Sequence, residues 1–258
     1  MFKNIALVYK ENLHNHLFEK INEIKQNFSK ASFLAIDYAS VKKELLKDAD
    51  LILTLGGDGT FVKAAHLVED SLILGINSNP ETSEGVLTSI TIDEIDQLKY
   101  LDKRKFEVIE RQRADVILND KILDEKAVNE VYIGAASQFH TSRYRLKFKG
   151  KEEEQRSSGI IVSTGTGSEA WFLSAGGKPF HYKDRKLSFV VREPYFSKRI
   201  FVPTFTKGDI LEGERLIVES GREFGGIVAI NDSIYDFNKG DIVEIKISDK
   251  PLRVIKLK

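Results

Sequence analysis

Apolar and polar residues follow one another in blocks over the first hundred positions and predict strands and helices in alternation. Short apolar runs typical of buried strands occupy residues 5–9, 32–38, 51–55 and 71–76. Apolar side chains recur at helical spacing in residues 11–28, 41–47 and 61–68. Strands that alternate with helices predict a parallel sheet covered on both faces, and such sheets bind ligands at the carboxyl ends of their strands.

The pattern changes after about residue 104. Short strands separated by turn residues follow one another, and residues 119–121 are typical of a hairpin tip. Residues 143–148 alternate strictly between charged and apolar side chains, as a half-buried strand does. The second half is therefore predicted to be mostly antiparallel β.

The most informative candidate chemistry lies in residues 51–60, LILTLGGDGT. An apolar strand stops at Gly56-Gly57, and glycines let a backbone approach a ligand closely. The N–H groups at the start of the following helix can hold phosphate oxygens. Asp58 is placed to accept a proton from a hydroxyl that attacks such a phosphate. The alternative is that this glycine turn merely connects a strand to a helix.

Three further polar elements accompany this turn. Gly75-Ile76-Asn77 ends the next predicted strand. Residues 163–171 form a glycine-rich segment able to wrap a nucleotide, although its partial dinucleotide fingerprint lacks the acidic residue expected about twenty positions later. Asn129-Glu130 begins another strand, where the pair either provides ordinary turn polarity or recognises an adenine or ribose edge. The residues alone leave both readings of the pair open.

Composition excludes several classes of function. The 258 residues carry 39 basic and 39 acidic side chains, and this balance argues against nucleic acid or an anionic membrane as the partner. There is no cysteine, no apolar stretch long enough to span a bilayer, and no signal-peptide pattern, so we expect a cytoplasmic protein. Walker, protein-kinase and nucleophile-elbow motifs are absent, and the five histidines show no metal-ligand spacing. We expect no resident metal, only the Mg²⁺ that arrives with a nucleoside triphosphate.

The four elements resemble the NAD kinases when they are taken in their order along the chain: GGDGT, Gly75-Ile76-Asn77, Asn129-Glu130 and the segment 164–175. Residues 75–85 (GINSNPETSEG) and the pairing of Ser157-Ser158-Gly159 with Thr164-Gly165-Thr166-Gly167-Ser168 are similar to the branch that contains the mitochondrial NAD kinase of animals. The order and spacing of the set are more specific than any single member. GGDGT alone also occurs in diacylglycerol-type lipid kinases and, as a close variant, in phosphofructokinases.

The resemblance implies an α/β domain over residues 1–101, a β-sandwich domain over residues 102–247, and a tail, 248–258, that returns to the first domain. It implies phosphorylation by ATP of the adenosine-ribose 2′-hydroxyl of NAD, with Asp58 as the base. Gly57, Gly59 and Thr60 would surround phosphate. The dinucleotide contacts would come from Asn129, Glu130, Thr166, Ala170 and Ser174, with Arg156 near the nicotinamide end. Asn77, Ser158 and Glu169 lie in the matching motifs and complete the candidate set.

The chain departs from the family pattern at the nicotinamide end. Most members have Asp-Gly where this chain has Ser158-Gly159, and Glu169 is an added carboxylate. Trp171 replaces a tyrosine and keeps a stacking face. Two rival functions stay open, a lipid kinase and a non-catalytic dinucleotide sensor. The resemblance also suggests a homodimer or homotetramer that binds NAD and ATP.

Overall fold

The computed structural model describes residues 2–10, 16–137, 139–197 and 202–257. The chain divides into two compact units, Met1–Glu110 with Leu252–Lys258, and Arg111–Pro251. In the described part of the chain, no helix is long and apolar enough to cross a membrane.

The first unit is built on a seven-stranded sheet with the order β2-β1-β3-β4-β19-β6, and β5 pairs with the end of β4. Its strands are β1 (Asn4–Tyr9), β2 (Ser32–Asp37), β3 (Leu51–Leu55), β4 (Leu72–Asn77), β5 (Ile90–Thr91), β6 (Phe106–Arg111) and β19 (Leu252–Leu257). The pairs from β2 through β19, and the pair β4–β5, are parallel. The predicted parallel sheet is therefore confirmed.

Helices cover both faces of this sheet. They are α1 (Leu17–Gln26), α2 (Lys43–Leu46), α3 (Asp58–Leu67) and α4 (Lys99–Asp102), with 3₁₀ helices at Tyr38–Ser40 and Ile92–Leu98. Leu17, Ile21 and Ile24 of α1 pack on the β3 face that carries Leu53. Phe61 of α3 packs against Gly75 on the opposite face. The first part of the helix predicted over 11–28 lies outside the described residues.

The second unit is a sandwich of two six-stranded antiparallel sheets, β11-β10-β15-β18-β7-β8 and β14-β13-β12-β9-β16-β17. Its elements are β7 (Ala114–Leu118), β8 (Lys121–Ile122), β9 (Glu130–Ala135), β10 (Ser142–Phe148), β11 (Lys151–Ser157), β12 (Gly159–Ser163), α5 (Trp171–Ser174), β13 (Lys186–Arg192), β14 (Lys207–Leu211), β15 (Leu216–Ser220), β16 (Gly226–Ile230), β17 (Ser233–Asp236) and β18 (Ile242–Ile247). Inner-face residues such as Leu146 and Ile133 share one core cluster. Asn119 and Asp120 form the predicted hairpin tip, with φ of 48° and 63°.

The unit boundaries differ from the predicted ones at 101/102 and 247/248. The first unit extends to Glu110 because β6 neighbours β19 in its sheet. The second unit extends to Pro251 because Ser248 donates its N–H to the Arg113 carbonyl and Arg113 Nε donates to the Lys250 carbonyl. Side-chain patterning did not indicate either connection.

Candidate active site

The glycine turn after β3 leads directly into α3, which begins at Asp58. The apolar pattern predicted a helix only from Phe61, and that start is wrong by three residues. The Gly57 carbonyl accepts the N–H groups of Thr60 (3.0 Å) and Phe61 (3.2 Å), so the first helical turn forms around Asp58 and Gly59. Asp58 is therefore fixed by helical geometry.

The three glycines of the turn have different surroundings. A Cβ on Gly56 would lie 2.2 Å from Thr60 Oγ1, and one on Gly57 would lie 2.7 Å from Ser83 Oγ. A Cβ on Gly59 would meet nothing within 4 Å. A Cβ on Gly56 would displace the buried Thr60 side chain and one on Gly57 would displace the Ser83 hydroxyl, whereas Gly59 borders open space beside the carboxylate. Thr60 is buried, with its hydroxyl against Gly56.

The Asp58 carboxylate is aimed by the backbone that follows β4. Its two oxygens accept N–H groups from Val86 (3.1 Å) and Leu87 (2.8 Å). The side chain is half-buried. A carboxylate has about four lone-pair sites, so Asp58 retains acceptor capacity for an attacking hydroxyl. The N-cap residue Gly57 has no side chain with which to cap α3, and N–H groups at a helix N-terminus can bind an anion.

Asn77 shapes the loop that carries these N–H donors. It is buried at the end of β4, where Nδ2 donates to the Ser83 carbonyl (2.9 Å) and Oδ1 accepts the Asn79 N–H (3.1 Å). The two motifs of the first unit thus meet at the carboxyl edge of the sheet, as predicted. Both the nitrogen and the oxygen of the Asn77 amide are therefore bonded to the loop that follows β4.

In the second unit, the glycine-rich loop is held against the start of β9. Thr164 Oγ1 donates to the Val128 carbonyl and accepts the N–H groups of Thr166 (3.1 Å) and Gly167 (3.3 Å). A Cβ on Gly167 would lie 2.7 Å from the backbone of Asn129. Close approach therefore brings this loop beside the Asn129-Glu130 pair.

Asn129 and Glu130 carry acceptors without a hydrogen-bond partner among the described residues. Asn129 Oδ1 and Glu130 Oε2 are both fully buried and unbonded. Burial raises the pKa of the Glu130 carboxyl to about 7. An unsatisfied buried acceptor is costly, and two adjacent ones indicate a ligand that brings hydrogen-bond donors.

An aromatic platform lies on the outer face of the sheet that contains β9 and β12. The rings of Tyr132 and Trp171 have centroids 5.4 Å apart, and the Arg192 guanidinium carbon lies 5.1 Å from the Trp171 ring. The Tyr132 hydroxyl donates to the Ser158 carbonyl (2.8 Å), and burial raises its pKa above the ordinary value. Ser158 thus joins the platform through its backbone.

The remaining candidates of the second unit lie along the loop, with one exception. Glu169, Ala170 and Ser174 are exposed, and Ser174 Oγ donates to the Ala170 carbonyl (3.4 Å). Arg156 is exposed on β11 between Gln155 and Ser157, whose side chains point inward to Tyr144. It therefore faces the outer side of the other sheet, beside a cavity of about 490 Å³ lined also by Arg143 and Tyr195.

Sequence reasoning missed two arginines that contact the glycine-rich loop and the aromatic platform of the second unit. Arg111 is buried, and its Nη1 donates to Thr166 Oγ1 (3.4 Å) while the guanidinium carbon lies 4.5 Å from the Tyr182 ring. Arg192 stacks on Trp171 from the end of β13. Both residues end strands and belong to no motif, so no sequence signal marked them. Within the described ranges, no cluster of three or more His, Cys, Asp or Glu is arranged to hold a metal.

The parallel α/β unit, with a carboxylate at a glycine-flanked helix start, and the antiparallel β sandwich agree with the class of two-domain small-molecule kinases that the sequence predicts. The family model for the ATP-NAD kinase N-terminal domain matches residues 3–101. An NAD kinase of Clostridium botulinum (strain Alaska E43 / Type E3) is 30% identical over 98% of this chain and 90% of its own length. The chain belongs to the NAD kinase family.

Other comparisons agree with this membership. A probable NADH kinase of rice is 28% identical over 91% of the chain and 79% of its own length. The crystal structure of an NAD kinase from Archaeoglobus fulgidus in complex with ATP has a TM-score of 0.74 at 23% identity, covering 99% of this chain and 93% of that one. Yeast NADH kinase complexed with NADH has a TM-score of 0.82 at 13% identity, covering 99% and 84%. The two structures support the fold.

Proposed function

We propose that the protein transfers the γ-phosphoryl group of ATP to the adenosine-ribose 2′-hydroxyl of NAD, forming NADP and ADP. One observation carries the proposal. In a chain of this family, the half-buried Asp58 carboxylate is held by two N–H groups beside the open space at Gly59. That arrangement suits a base next to a phosphate.

The reaction is an in-line displacement at the γ-phosphorus. The ribose 2′-oxygen forms the new P–O bond, the bond to the β–γ bridging oxygen breaks, and the leaving ADP keeps that electron pair. The hydroxyl proton passes to Asp58. Mg²⁺ enters as part of the MgATP substrate, and the N–H groups at the start of α3 bind phosphate oxygens. Positioning and charge neutralisation supply the remaining rate enhancement.

The second unit supplies the dinucleotide contacts in this proposal. The unbonded acceptors of Asn129 and Glu130 accept ribose hydroxyl or amide donors, which the buried acceptors require. Thr166, Ala170 and Ser174 contact the dinucleotide along the glycine-rich loop, and Trp171 offers a ring for stacking. Ser158 and Glu169 stay proposed contacts of the nicotinamide end. Arg156 stays a proposed contact too, although its exposure on the opposite outer face gives it no support.

The test is NADP formation by the purified protein with MgATP and NAD. We expect turnover by the wild type, and Asp58→Asn to lower kcat by roughly 10²- to 10⁴-fold while the NAD affinity stays close to that of the wild type. Running NADH, diacylglycerol and inorganic polyphosphate in parallel identifies the acceptor and the donor. Tight NAD binding without any NADP would favour the sensor.

Asp50 provides a matched control for Asp58. Its carboxylate also accepts two backbone N–H groups, from Lys3 (2.7 Å) and Asn4 (3.0 Å), but it precedes β3 at the opposite edge of the sheet. Asp50→Asn removes the same kind of contact and should retain activity. An Asp58→Asn protein as active as Asp50→Asn would contradict the assigned role of Asp58.

Three finer statements are also proposals. The likeness of residues 75–85 to the mitochondrial-type branch supports membership of that branch. The lack of cysteine agrees with a cytoplasmic location. A homodimer or homotetramer follows from the family resemblance, and light scattering of the purified protein measures it.

A further inference from the structure

Two lysines converge on one tyrosine ring near the glycine turn, and the proposed function does not yet use them. Lys10 Nζ lies 5.4 Å from the centroid of the Tyr38 ring, and Lys63 Nζ lies 5.8 Å from the same centroid. All three residues belong to the first unit. Lys63 and Tyr38 are half-buried, and Lys10 is exposed.

The cluster lies at the same edge of the sheet as Asp58. Lys10 follows β1 directly, and its N–H donates to the Leu55 carbonyl (3.2 Å), so its backbone runs beside the residue that precedes Gly56. Tyr38 directly follows β2. Lys63 is in the second turn of α3, and helical side chains lean toward the helix N-terminus, here toward Asp58.

The charges of this cluster favour an anionic ligand. Two ammonium groups near one ring repel each other, and the face of the tyrosine ring partly offsets this repulsion by cation–π attraction. Lysine stems are long and flexible, so a ring that fixes both heads orders them before a ligand arrives. Asp37, which directly precedes Tyr38, accepts the Ala39 N–H (2.8 Å).

We propose that Lys10 and Lys63 bind the phosphate chain of the donor, and that Tyr38 is a positioning residue that holds their ammonium groups. The inference rests on the proposed function, because it assigns the donor side of the same site. When the β–γ bridging bond breaks, negative charge accumulates on the leaving phosphate, where two ammonium groups stabilise it. The ligand class is a linear polyphosphate anion, either a nucleoside triphosphate or inorganic polyphosphate.

The first experiment measures steady-state kinetics of Lys10→Met, Lys63→Met and the double variant. Losing one charge-assisted contact should raise the KM for MgATP roughly tenfold, and losing both roughly a hundredfold, with the KM for NAD within about twofold of wild type. Lys30→Met is the matched control, since Lys30 is exposed just before β2, at the opposite edge of the sheet, and carries the same charge. An unchanged KM for MgATP in the double variant would overturn the proposal.

A second experiment separates this inference from the proposed function, because it needs no turnover. Calorimetric titration with inorganic tripolyphosphate, and separately with a non-hydrolysable ATP analogue and Mg²⁺, should show binding to wild type that is weakened at least about tenfold in the double variant. The titration in which the double variant binds more weakly than wild type identifies the class of donor. Affinities within about twofold of wild type in both arms, with unchanged circular dichroism, would refute the site even if the enzyme makes NADP.

Tyr38 is tested by two variants that differ only in the ring. Tyr38→Phe keeps the aromatic face and should retain the wild-type KM for MgATP. Tyr38→Leu removes that face and should raise this KM with little change in the KM for NAD. A merely structural tyrosine would instead change both KM values and the melting temperature together.

Discussion

Gly59 is the residue of the glycine turn whose missing Cβ is not explained by packing. Nothing lies within 4 Å of the place where a Cβ would stand, whereas a Cβ on Gly56 would strike Thr60 Oγ1 at 2.2 Å. Gly59 is also the second residue of α3, where alanine fits the backbone. Its space is thus free for a ligand.

We expect Gly59→Ala to raise the free energy of unfolding by about 0.4–1 kcal/mol, because alanine reduces the entropy of the unfolded chain. The same variant should raise the KM for MgATP, because the added methyl group would occupy the space that we propose for phosphate. Gly56→Ala should instead lower stability. Urea unfolding and steady-state kinetics measure both quantities, and a Gly59→Ala enzyme with wild-type donor kinetics would argue against phosphate at this position.

The buried carboxyl of Glu130 makes the stability of the protein depend on pH. Its pKa in the folded protein is about 7, above the ordinary value of 4.5, because the carboxyl is buried. The folded protein therefore binds more protons than the unfolded chain between these pH values, and the free energy of unfolding falls as the pH rises through them. The ionised carboxylate destabilises the protein when no ligand is bound.

Glu130→Gln should remove this dependence. Between about pH 5 and about pH 8, the free energy of unfolding of the variant should rise by roughly 1–3 kcal/mol relative to that of the wild type. Chemical unfolding at several pH values measures this difference. Glu169→Gln is the control, since Glu169 is exposed and undergoes the same chemical change. A constant difference between Glu130→Gln and wild type across this range would refute the raised pKa.

The residues of the site were predictable to different degrees. The position of Asp58 at a strand-to-helix turn was predictable, because the apolar run, the two glycines and the carboxylate follow one another directly in the sequence. The Val86 and Leu87 N–H donors were not predictable, since any residue has an N–H and only the fold brings these two to Asp58. Arg156 was expected only from the family resemblance, and alternation along β11 turns its side chain to the outer face of the other sheet.

At the scale of elements, the glycine-rich loop depends on one buried hydroxyl. Thr164 Oγ1 bonds the Val128 carbonyl and the N–H groups of Thr166 and Gly167. The loop thereby keeps its place beside Asn129 without regular secondary structure. Composition predicted a glycine-rich nucleotide loop here, but the contact with Val128 joins positions 36 residues apart and has no local pattern.

Thr164→Val keeps the shape of the side chain and removes the hydroxyl. We expect a loss of roughly 1–3 kcal/mol in the free energy of unfolding, because buried backbone groups lose their partner, together with weaker NAD binding. Thr141→Val, at an exposed threonine of the same unit, should change neither quantity. Chemical unfolding and NAD titration measure the effects, and equal stability of the two variants would contradict the role of this hydroxyl.

Helix starts were the elements least visible in the sequence. The apolar stripe of α3 begins at Phe61, yet hydrogen bonding to the Gly57 carbonyl starts the helix at Asp58. An apolar pattern reports which face is buried. It does not report the first polar turn, and Asp58, the carboxylate proposed as the base, lies in that turn.

At the scale of the whole molecule, the first unit is assembled from two distant parts of the chain. β19 lies between β4 and β6, and its residues Leu252, Val254 and Ile255 are almost fully buried. The return of the chain to the first domain was expected only from the family resemblance. The pattern of residues 252–257 does not indicate which sheet this strand joins, since a short apolar strand can pair with many others.

Ile255→Ala should therefore destabilise the first unit although the substitution lies near the end of the sequence. We expect a loss of about 2–5 kcal/mol in its free energy of unfolding, from lost burial and the cavity left behind. Lys256→Ala, at an exposed position of the same strand, should cost little. Hydrogen exchange followed peptide by peptide measures the effect, and protection lost in β4 and β6 but kept in β12 would locate it.

The position of β19 also sets an order of events during synthesis. Residues 111–251, which form the second unit, leave the ribosome before the strand that completes the first unit. Until then β4 and β6 expose unpaired backbone edges, where chaperones or aggregation compete with folding. The sheet of the first unit is therefore complete only after residues 252–257 have been made, although its other strands come from residues 4–111.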